Sequence, residues 1–137
     1  MVSPNPLVIL GLDQQRVVLI NVYGSGCGIG VGGSHLGCEL ACRALNRSGI
    51  EIRFLANIDG AATTQSLTGL DPETTLFVIV SKTFTTLETL TNAHAARTWF
   101  LERTCDKTAI ASHFVAVSNN AAEMTKFGIA SVSQFKL

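Results

Sequence analysis

The sequence has little charge and no long hydrophobic run. Only 15% of its 137 residues are charged, ten Lys and Arg balance ten Asp and Glu, and no basic run occurs. Nucleic acid and anionic membranes are therefore poor candidates as partners. The longest apolar runs have about five residues, as at residues 76–80, against the roughly 18 or more that are typical of a membrane span. The first ten residues hold two of the three prolines and no positive n-region, so they do not match a secretory signal.

Cysteine is scarce and forms no CxxC pair, since the four thiols lie at positions 27, 38, 42 and 105. This pattern indicates free thiols in a reducing compartment, and we predict a cytoplasmic protein. Cys38 and Cys42 are four residues apart on a predicted helix, with His35 nearby. A metal would need further ligands, so two core or partly buried thiols are the simpler interpretation. We predict neither a metal nor an organic cofactor.

What the sequence does have is apolar residues, which make up 47% of the chain and form segments that alternate with helical patterns. This alternation predicts an α/β fold with a parallel sheet of about five strands, covered by helices on both faces. We predict strands at residues 16–22, 50–56, 75–80 and 113–117 and a fifth from residue 128, a glycine-rich turn at 24–33, and helices near 36–46, 61–67, 86–103 and 120–126. Residues 1–15 are predicted to be an irregular lead-in, 16–130 the domain and 131–137 a tail.

The run Ser-Lys-Thr-Phe-Thr-Thr at residues 81–86 follows the most apolar predicted strand and precedes a helix. Five of its six side chains can donate a hydrogen bond. The helix adds free N–H groups and about half a positive charge from its dipole. We therefore predict a phosphate site with the candidates Ser81, Lys82, Thr83, Thr85 and Thr86.

A simpler interpretation of this run is that it only caps a helix. Thr85 and Glu88 fit a capping box, which would set where the helix begins. Lys82 could equally be a solvated surface lysine. Six consecutive polar-capable positions, however, exceed what one cap needs, and we prefer the ligand interpretation.

The glycine-rich segment offers a second motif. Gly28, Gly30 and Gly33 match the spacing G-x-G-x-x-G of dinucleotide-binding folds, with Glu51 or Asp59 as acids for the ribose. The match is weak because six glycines crowd residues 24–33, so some triplet would fit by chance.

Gly33 and Ser34 are better explained by close approach of the backbone to an anion at the first βα turn. The first and third strands are neighbours in a flavodoxin-like sheet, so their C-terminal loops open into one crevice. Ser34 and the 81–86 loop could then contact one phosphate from two sides.

The other reactive side chains do not form a recognisable catalytic site. Cys105, Asp106 and His113 are residue types of a nucleophilic triad, but their spacing does not bring them together. Glu88 could be a general base, although its capping position explains it without chemistry.

Five blocks carry a family resemblance: residues 30–37, 54–60, 67–77, 81–92 and 113–118. In order and spacing they resemble the glucose-6-phosphate isomerase (phosphoglucose isomerase) family, in its first sugar-isomerase (SIS) domain, from about residue 28 to residue 129. The resemblance implies an incomplete flavodoxin-like SIS domain and a homodimer. It implies a sugar phosphate, glucose 6-phosphate or fructose 6-phosphate, held at Gly33, Ser34, Ser81, Thr83 and Thr86.

The chain departs from the family pattern in three respects. His35 and Cys38 stand where the family usually has Asp and Pro, residues 22–28 are unlike the family's continuous strand, and family members are much longer. The resemblance implies that the family's catalytic glutamate, histidine, lysine and arginine lie downstream of the matched segment, beyond Leu137. We therefore expect a chain that binds sugar phosphate without isomerising it. The alternatives are a non-catalytic sugar-phosphate sensing module and an inactive gene fragment.

Overall fold

A computed structural model describes residues 7–13, 16–21, 25–30, 39–40, 44, 51–56 and 58–137. Its first element is an antiparallel pair formed by β1, Leu7–Asp13, and β2, Arg16–Asn21. This pair is a separate two-stranded sheet. The prediction that residues 1–15 are an irregular lead-in is therefore wrong for Leu7–Asp13, which is a strand.

The second sheet has five parallel strands: β3 Ser25–Ile29, β4 Glu51–Leu55, β5 Thr75–Val80, β6 Phe114–Val117 and β7 Gln134–Phe135. Their order in space is β4-β3-β5-β6-β7. Counted within this sheet, the order is 2-1-3-4-5, which is that of flavodoxin-like folds. The predicted fold class is confirmed.

The connecting helices are α1 Gly60–Leu67, α2 Leu87–Thr104, α3 Ile110–His113 and α4 Ala121–Phe127. Asp59 begins α1 by accepting a hydrogen bond from the N–H of Ala61, and Asn120 begins α4 by accepting one from Glu123. Within the predicted helix at 36–46, the described residues 39, 40 and 44 are helical. Among the helices that the structure describes, none combines the length and apolar character needed to cross a bilayer.

The first strand of the parallel sheet is displaced from its predicted position. Residues 16–21 pair with β1 instead, and residues 25–29, predicted to be a turn, are the strand. Gly28 serves packing there, because a Cβ at this position would lie 2.9 Å from Cδ1 of Phe54 on the neighbouring strand. Cys27 and Ile29 point into the core and are 1% exposed.

The fifth strand is also displaced. Gly128 has φ 107° and ends α4, its N–H donating to the carbonyls of Met124 and Thr125. A left-handed residue of this kind terminates a helix, so the strand begins only at Gln134, inside the predicted tail. Leu137, the last residue of that tail, is partly buried against the valines of β5 and β6. The domain limits at residues 16 and 130 stay a prediction.

Strand β5 is buried on both faces, as its continuous apolar run predicts. Phe77 and Ile79 belong to the larger core cluster, while Val78 and Val80 belong to a second cluster on the other face. The ring of Phe77 stacks on that of Phe114 with centroids 4.7 Å apart. Each such side chain contributes roughly 1.5–3 kcal/mol on burial. The end of β5, where the candidate site begins, is therefore held rigidly.

Candidate functional site

The candidate site lies at the carboxyl edge of the parallel sheet. Strands β3 and β5 are neighbours, with Ile29 opposite Ile79, so both strands end at the same edge. At this point the chain leaves in opposite directions to β4 and to β6, which is where ligands bind in open α/β sheets. The predicted neighbour relationship of these strands is confirmed, although the first strand is β3 and not residues 16–22.

Ser81 closes the end of β5. It is 3% exposed, its N–H donates to the carbonyl of Val117 at 3.1 Å, and its Oγ accepts a hydrogen bond from the N–H of Phe84 at 3.1 Å. A serine hydroxyl carries one proton and two lone pairs. Because the oxygen is used here as an acceptor, the hydroxyl proton stays available for a ligand.

Phe84 anchors the loop from the inside. Its ring is 1% exposed and packs edge-on against Phe127, with centroids 5.9 Å apart. Its backbone has φ 55°, which is uncommon for a residue other than glycine. Such conformations persist where surrounding packing imposes them, and they concentrate at ligand-binding segments.

Thr83 and Thr85 form a hydroxyl pair on the exposed side of the loop. Oγ1 of Thr83 accepts a hydrogen bond from the hydroxyl of Thr85 at 2.7 Å and another from its N–H at 3.3 Å. Both lone pairs of the Thr83 hydroxyl are therefore occupied, and its proton is directed elsewhere. A hydroxyl held in this state is a donor, as an anion requires.

Helix α2 begins at the loop with Thr86 as its N-cap. Within the described part of the chain, the side chain of Thr86 makes no capping hydrogen bond, so it does not satisfy the first-turn N–H groups. The predicted capping box is wrong, because the N-cap is Thr86, one residue after Thr85, and the Thr85 hydroxyl is bound to Thr83. Glu88 is an exposed first-turn residue.

The remaining candidates divide into two groups. Lys82 is in the loop, and its side chain is exposed. Its carbonyl accepts a hydrogen bond from the hydroxyl of Ser118. Gly33 and Ser34 lie outside the described residues, as do His35, Cys38 and Cys42.

The acids proposed for a dinucleotide ribose have local roles. Glu51 pairs with Arg53 through an Oε1–Nη2 distance of 2.6 Å. Asp59 caps α1. Together with the placement of Gly28 inside a strand, these roles remove the support for a dinucleotide site.

Each of the three residues considered for a nucleophilic triad has its own structural role. Asp106 accepts hydrogen bonds from the N–H and hydroxyl of Thr108, and these lower the pKa of its carboxyl. Nδ1 of His113 lies 2.8 Å from the carbonyl of Thr75. Cys105 ends α2 in a left-handed conformation.

Cys27, the buried cysteine of β3, is not a reactive thiol. Burial raises the pKa of the Cys27 thiol to about 12, against a smaller opposing effect of Arg53, which keeps this thiol protonated and unreactive. Among the described residues, no group of His, Cys, Asp and Glu could hold a metal ion.

Sequence reasoning missed two residues behind the loop, Ser118 and Asn120. They follow β6, the strand next to β5, and contact the carbonyls of Lys82 and Thr83. The available signal was the polar run Ser-Asn-Asn after an apolar strand, in the same position relative to β6 as Ser81 is to β5.

Comparison with known proteins agrees with this architecture. The model of the family described as phosphoglucose isomerase matches residues 25–137. Glucose-6-phosphate isomerase from Gloeobacter violaceus is 52% identical over 110 residues, covering 78% of this chain and 20% of the relative. The enzyme of the same name from Desulforapulum autotrophicum is 51% identical over 133 residues, covering 86% and 24%.

A solved structure shares the fold. The crystal structure of a glucose-6-phosphate isomerase from Chlamydia trachomatis superposes with a TM-score of 0.71 at 31% identity, covering 84% of this chain and 22% of that one. The chain thus spans about a fifth to a quarter of the length of these relatives. That the catalytic residues of the family correspond to positions beyond Leu137 stays a prediction.

Proposed function

Because the chain belongs to the phosphoglucose isomerase family, we propose that it forms the phosphate-binding part of a glucose-6-phosphate isomerase, the enzyme that interconverts glucose 6-phosphate and fructose 6-phosphate in glycolysis and gluconeogenesis. In this proposal the phosphate is bound by the loop at the carboxyl end of β5 and by the turn after β3. The binding residues are Gly33, Ser34, Ser81, Lys82, Thr83, Thr85 and Thr86.

The observation that carries the proposal is the state of the loop hydroxyls. Ser81 and Thr83 both accept hydrogen bonds from within the loop, so each has a proton to donate and no need to accept from a ligand. A phosphate dianion offers only acceptors. The N-terminus of the 18-residue helix α2 adds N–H groups and a favourable dipole.

The chemistry of isomerisation requires more than this loop. The reaction moves a proton between C1 and C2 through an enediol, and the resemblance assigns the base and the ring-opening groups to residues downstream of the matched segment, beyond Leu137. Positioning and proton transfer each contribute large rate factors. We therefore propose that the isolated 137-residue chain binds sugar phosphate and shows little or no turnover.

Three further statements belong to the same proposal. The site needs no cofactor, since hydroxyls and N–H groups satisfy the phosphate. The protein acts in the cytoplasm, which its scattered cysteines without a CxxC pair support. The whole protein is a homodimer, as the family resemblance implies.

The proposal is tested by calorimetric titration of the purified chain with glucose 6-phosphate, with unphosphorylated glucose as the control ligand. We expect binding of the first and none of the second. The double variant with Ser81→Ala and Thr83→Ala is expected to lose binding. The control is Thr98→Ala, at an exposed position on α2, which is expected to leave binding unchanged. Equal affinity of the double variant, with circular dichroism showing an intact fold, would make the loop a helix cap and nothing more.

A coupled assay tests the catalytic part of the proposal separately. The isolated chain is expected to give no rate above background with fructose 6-phosphate. Robust turnover would show that this chain carries its own proton-transfer groups, and the statement about turnover would then be abandoned.

A further inference from the structure

A loop that binds an anion must direct its N–H groups toward the ligand and its carbonyl oxygens away from it, because each carbonyl carries partial negative charge. Two successive carbonyls of the segment 81–86, those of Lys82 and Thr83, accept hydrogen bonds from outside the loop. The donors belong to residues 118–120, which follow β6.

The carbonyl of Lys82 receives two hydrogen bonds. The hydroxyl of Ser118 donates at 3.1 Å, and the N–H of Asn119 donates at 3.0 Å. Ser118 is 1% exposed, so its hydroxyl is shielded from water, and its own N–H donates to the carbonyl of Phe135 on β7 at 2.8 Å. The Lys82 carbonyl is thereby tied to two strands of the sheet.

The carbonyl of Thr83 is held by the side chain of Asn120, a residue that two further hydrogen bonds keep in place. Nδ2 of Asn120 donates to this carbonyl at 3.0 Å. The Oδ1 atom accepts from the N–H of Glu123 at 3.3 Å, and the Asn120 N–H donates to Oγ of Ser118 at 3.1 Å. The amide group therefore joins the first turn of α4 to the loop.

We propose that Ser118 and Asn120 are positioning residues for phosphate binding. They direct the carbonyl oxygens of the loop away from the phosphate and the N–H and hydroxyl donors of the loop toward it. This inference rests on the proposed function, since it names what orients the same site. It assigns Asn120 a role beyond capping α4, because a cap uses only Oδ1, whereas the contact with the loop uses Nδ2.

The two roles of Asn120 can be separated by substitution. Asn120→Ser keeps a good N-cap residue but is too short to reach Thr83, and it adds no charge. Asn119→Ala is the matched control, since Asn119 contacts the loop only through its backbone N–H and its side chain is exposed. Ser118→Ala removes one of the two donors to the Lys82 carbonyl and also the acceptor of the Asn120 N–H. It is the second test variant.

The experiment titrates the full 137-residue chain with inorganic phosphate and follows backbone amide NMR signals of residues 82–86. All variants are measured at a temperature at which circular dichroism shows each to be folded, so a loss of stability alone does not lower affinity. Asn120→Ser and Ser118→Ala are expected to weaken phosphate binding about tenfold, as the loss of a hydrogen bond worth about 1.4 kcal/mol predicts. Asn119→Ala is expected to bind like the wild type.

The outcomes distinguish the two proposals. If the wild type binds phosphate and both test variants bind it equally well, the positioning role is wrong while the phosphate site stands. If the wild type binds no phosphate, the proposed function fails and the positioning role fails with it. Should Asn120→Ser not fold, Ser118→Ala decides the question by itself, because that variant keeps Asn120 as the N-cap of α4.

Discussion

The N–H of Phe84 donates a hydrogen bond to Oγ of Ser81, 3.1 Å away, and this contact closes the loop at the end of β5 into a ring. Both residues are buried, at 1% and 3% exposure. The contact makes Ser81 important for the shape of the loop as well as for its ligand. Stability and binding must therefore be measured separately at this position.

Replacing Ser81→Ala is expected to lower the free energy of unfolding by about 1–3 kcal/mol, because the buried N–H of Phe84 is left without an acceptor. Urea unfolding in phosphate-free buffer measures this cost. The control is Ser112→Ala, at an exposed position on α3, which is expected to change stability by less than about 0.5 kcal/mol. Equal stability of the two variants would show that water satisfies the Phe84 N–H.

Replacing Gly28→Ala is expected to destabilise the protein by about 1–3 kcal/mol through overpacking. The added Cβ would lie 2.9 Å from Cδ1 of Phe54, whereas a Cβ on Gly26, two residues earlier in the same strand, would meet Ile52 only at 3.9 Å. Gly26→Ala is thus the matched control and should be nearly neutral. Thermal unfolding of both variants compares them, and a Gly28→Ala protein as stable as Gly26→Ala would mean that the Phe54 ring moves aside freely.

Replacing Arg53→Met is expected to cost about 1–3 kcal/mol of unfolding free energy. Nη1 of Arg53 donates to the carbonyls of Ser66 at 2.8 Å and Thr68 at 2.5 Å, which ties β4 to the C-terminal end of α1. Charged donors to helix-end carbonyls are among the stronger hydrogen bonds.

The ion pair of Arg53 with Glu51 should matter far less. The side chain of Glu51 is 56% exposed, and exposed pairs contribute about 0–1 kcal/mol. Glu51→Gln is therefore the control in the same urea experiment. A larger effect of Glu51→Gln than of Arg53→Met would show that the ion pair, and not the carbonyl contacts, holds β4 to α1.

Cys27 makes stability depend on alkaline pH. Its folded-state pKa is raised from 9.0 to about 12 by burial, so the unfolded thiol ionises first as pH rises. The stabilising contribution is complete below pH 9 and is lost progressively between pH 9 and 12. The wild type is expected to lose more stability over this window than Cys27→Ala does, as measured by chemical unfolding at a series of pH values.

Cys105 supplies the control for this pH dependence, because its thiol is exposed. The Cys105→Ala variant should follow the wild-type profile between pH 9 and 12. A Cys27→Ala profile parallel to that of the wild type would mean that the Cys27 thiol ionises in the folded protein as readily as in the unfolded chain.

Local patterns were sufficient where one signal dominated. The apolar run at Thr75–Val80 predicts a strand buried on both faces, and the structure has that strand with those bounds. The helical patterns near residues 61–67 and 120–126 predict two helices, and α1 and α4 lie there. Sequence reasoning failed where one residue type has two uses. The glycine-rich pattern at residues 24–33 predicts a turn, but Gly26 and Gly28 lie in β3, and the missing side chain of Gly28 lets β3 pack closely against Phe54 of β4.

By itself the sequence determined that a set of hydrogen-bond donors follows a buried strand and precedes a helix, because strand burial and residue type are local properties. The tertiary structure alone decided what holds those donors in place. Ser118 and Asn120 are 36 and 37 residues from the carbonyls they bind. They reach them because β5 and β6 pair in parallel with Val80 opposite Val117, which brings the ends of two distant segments to one edge of the sheet.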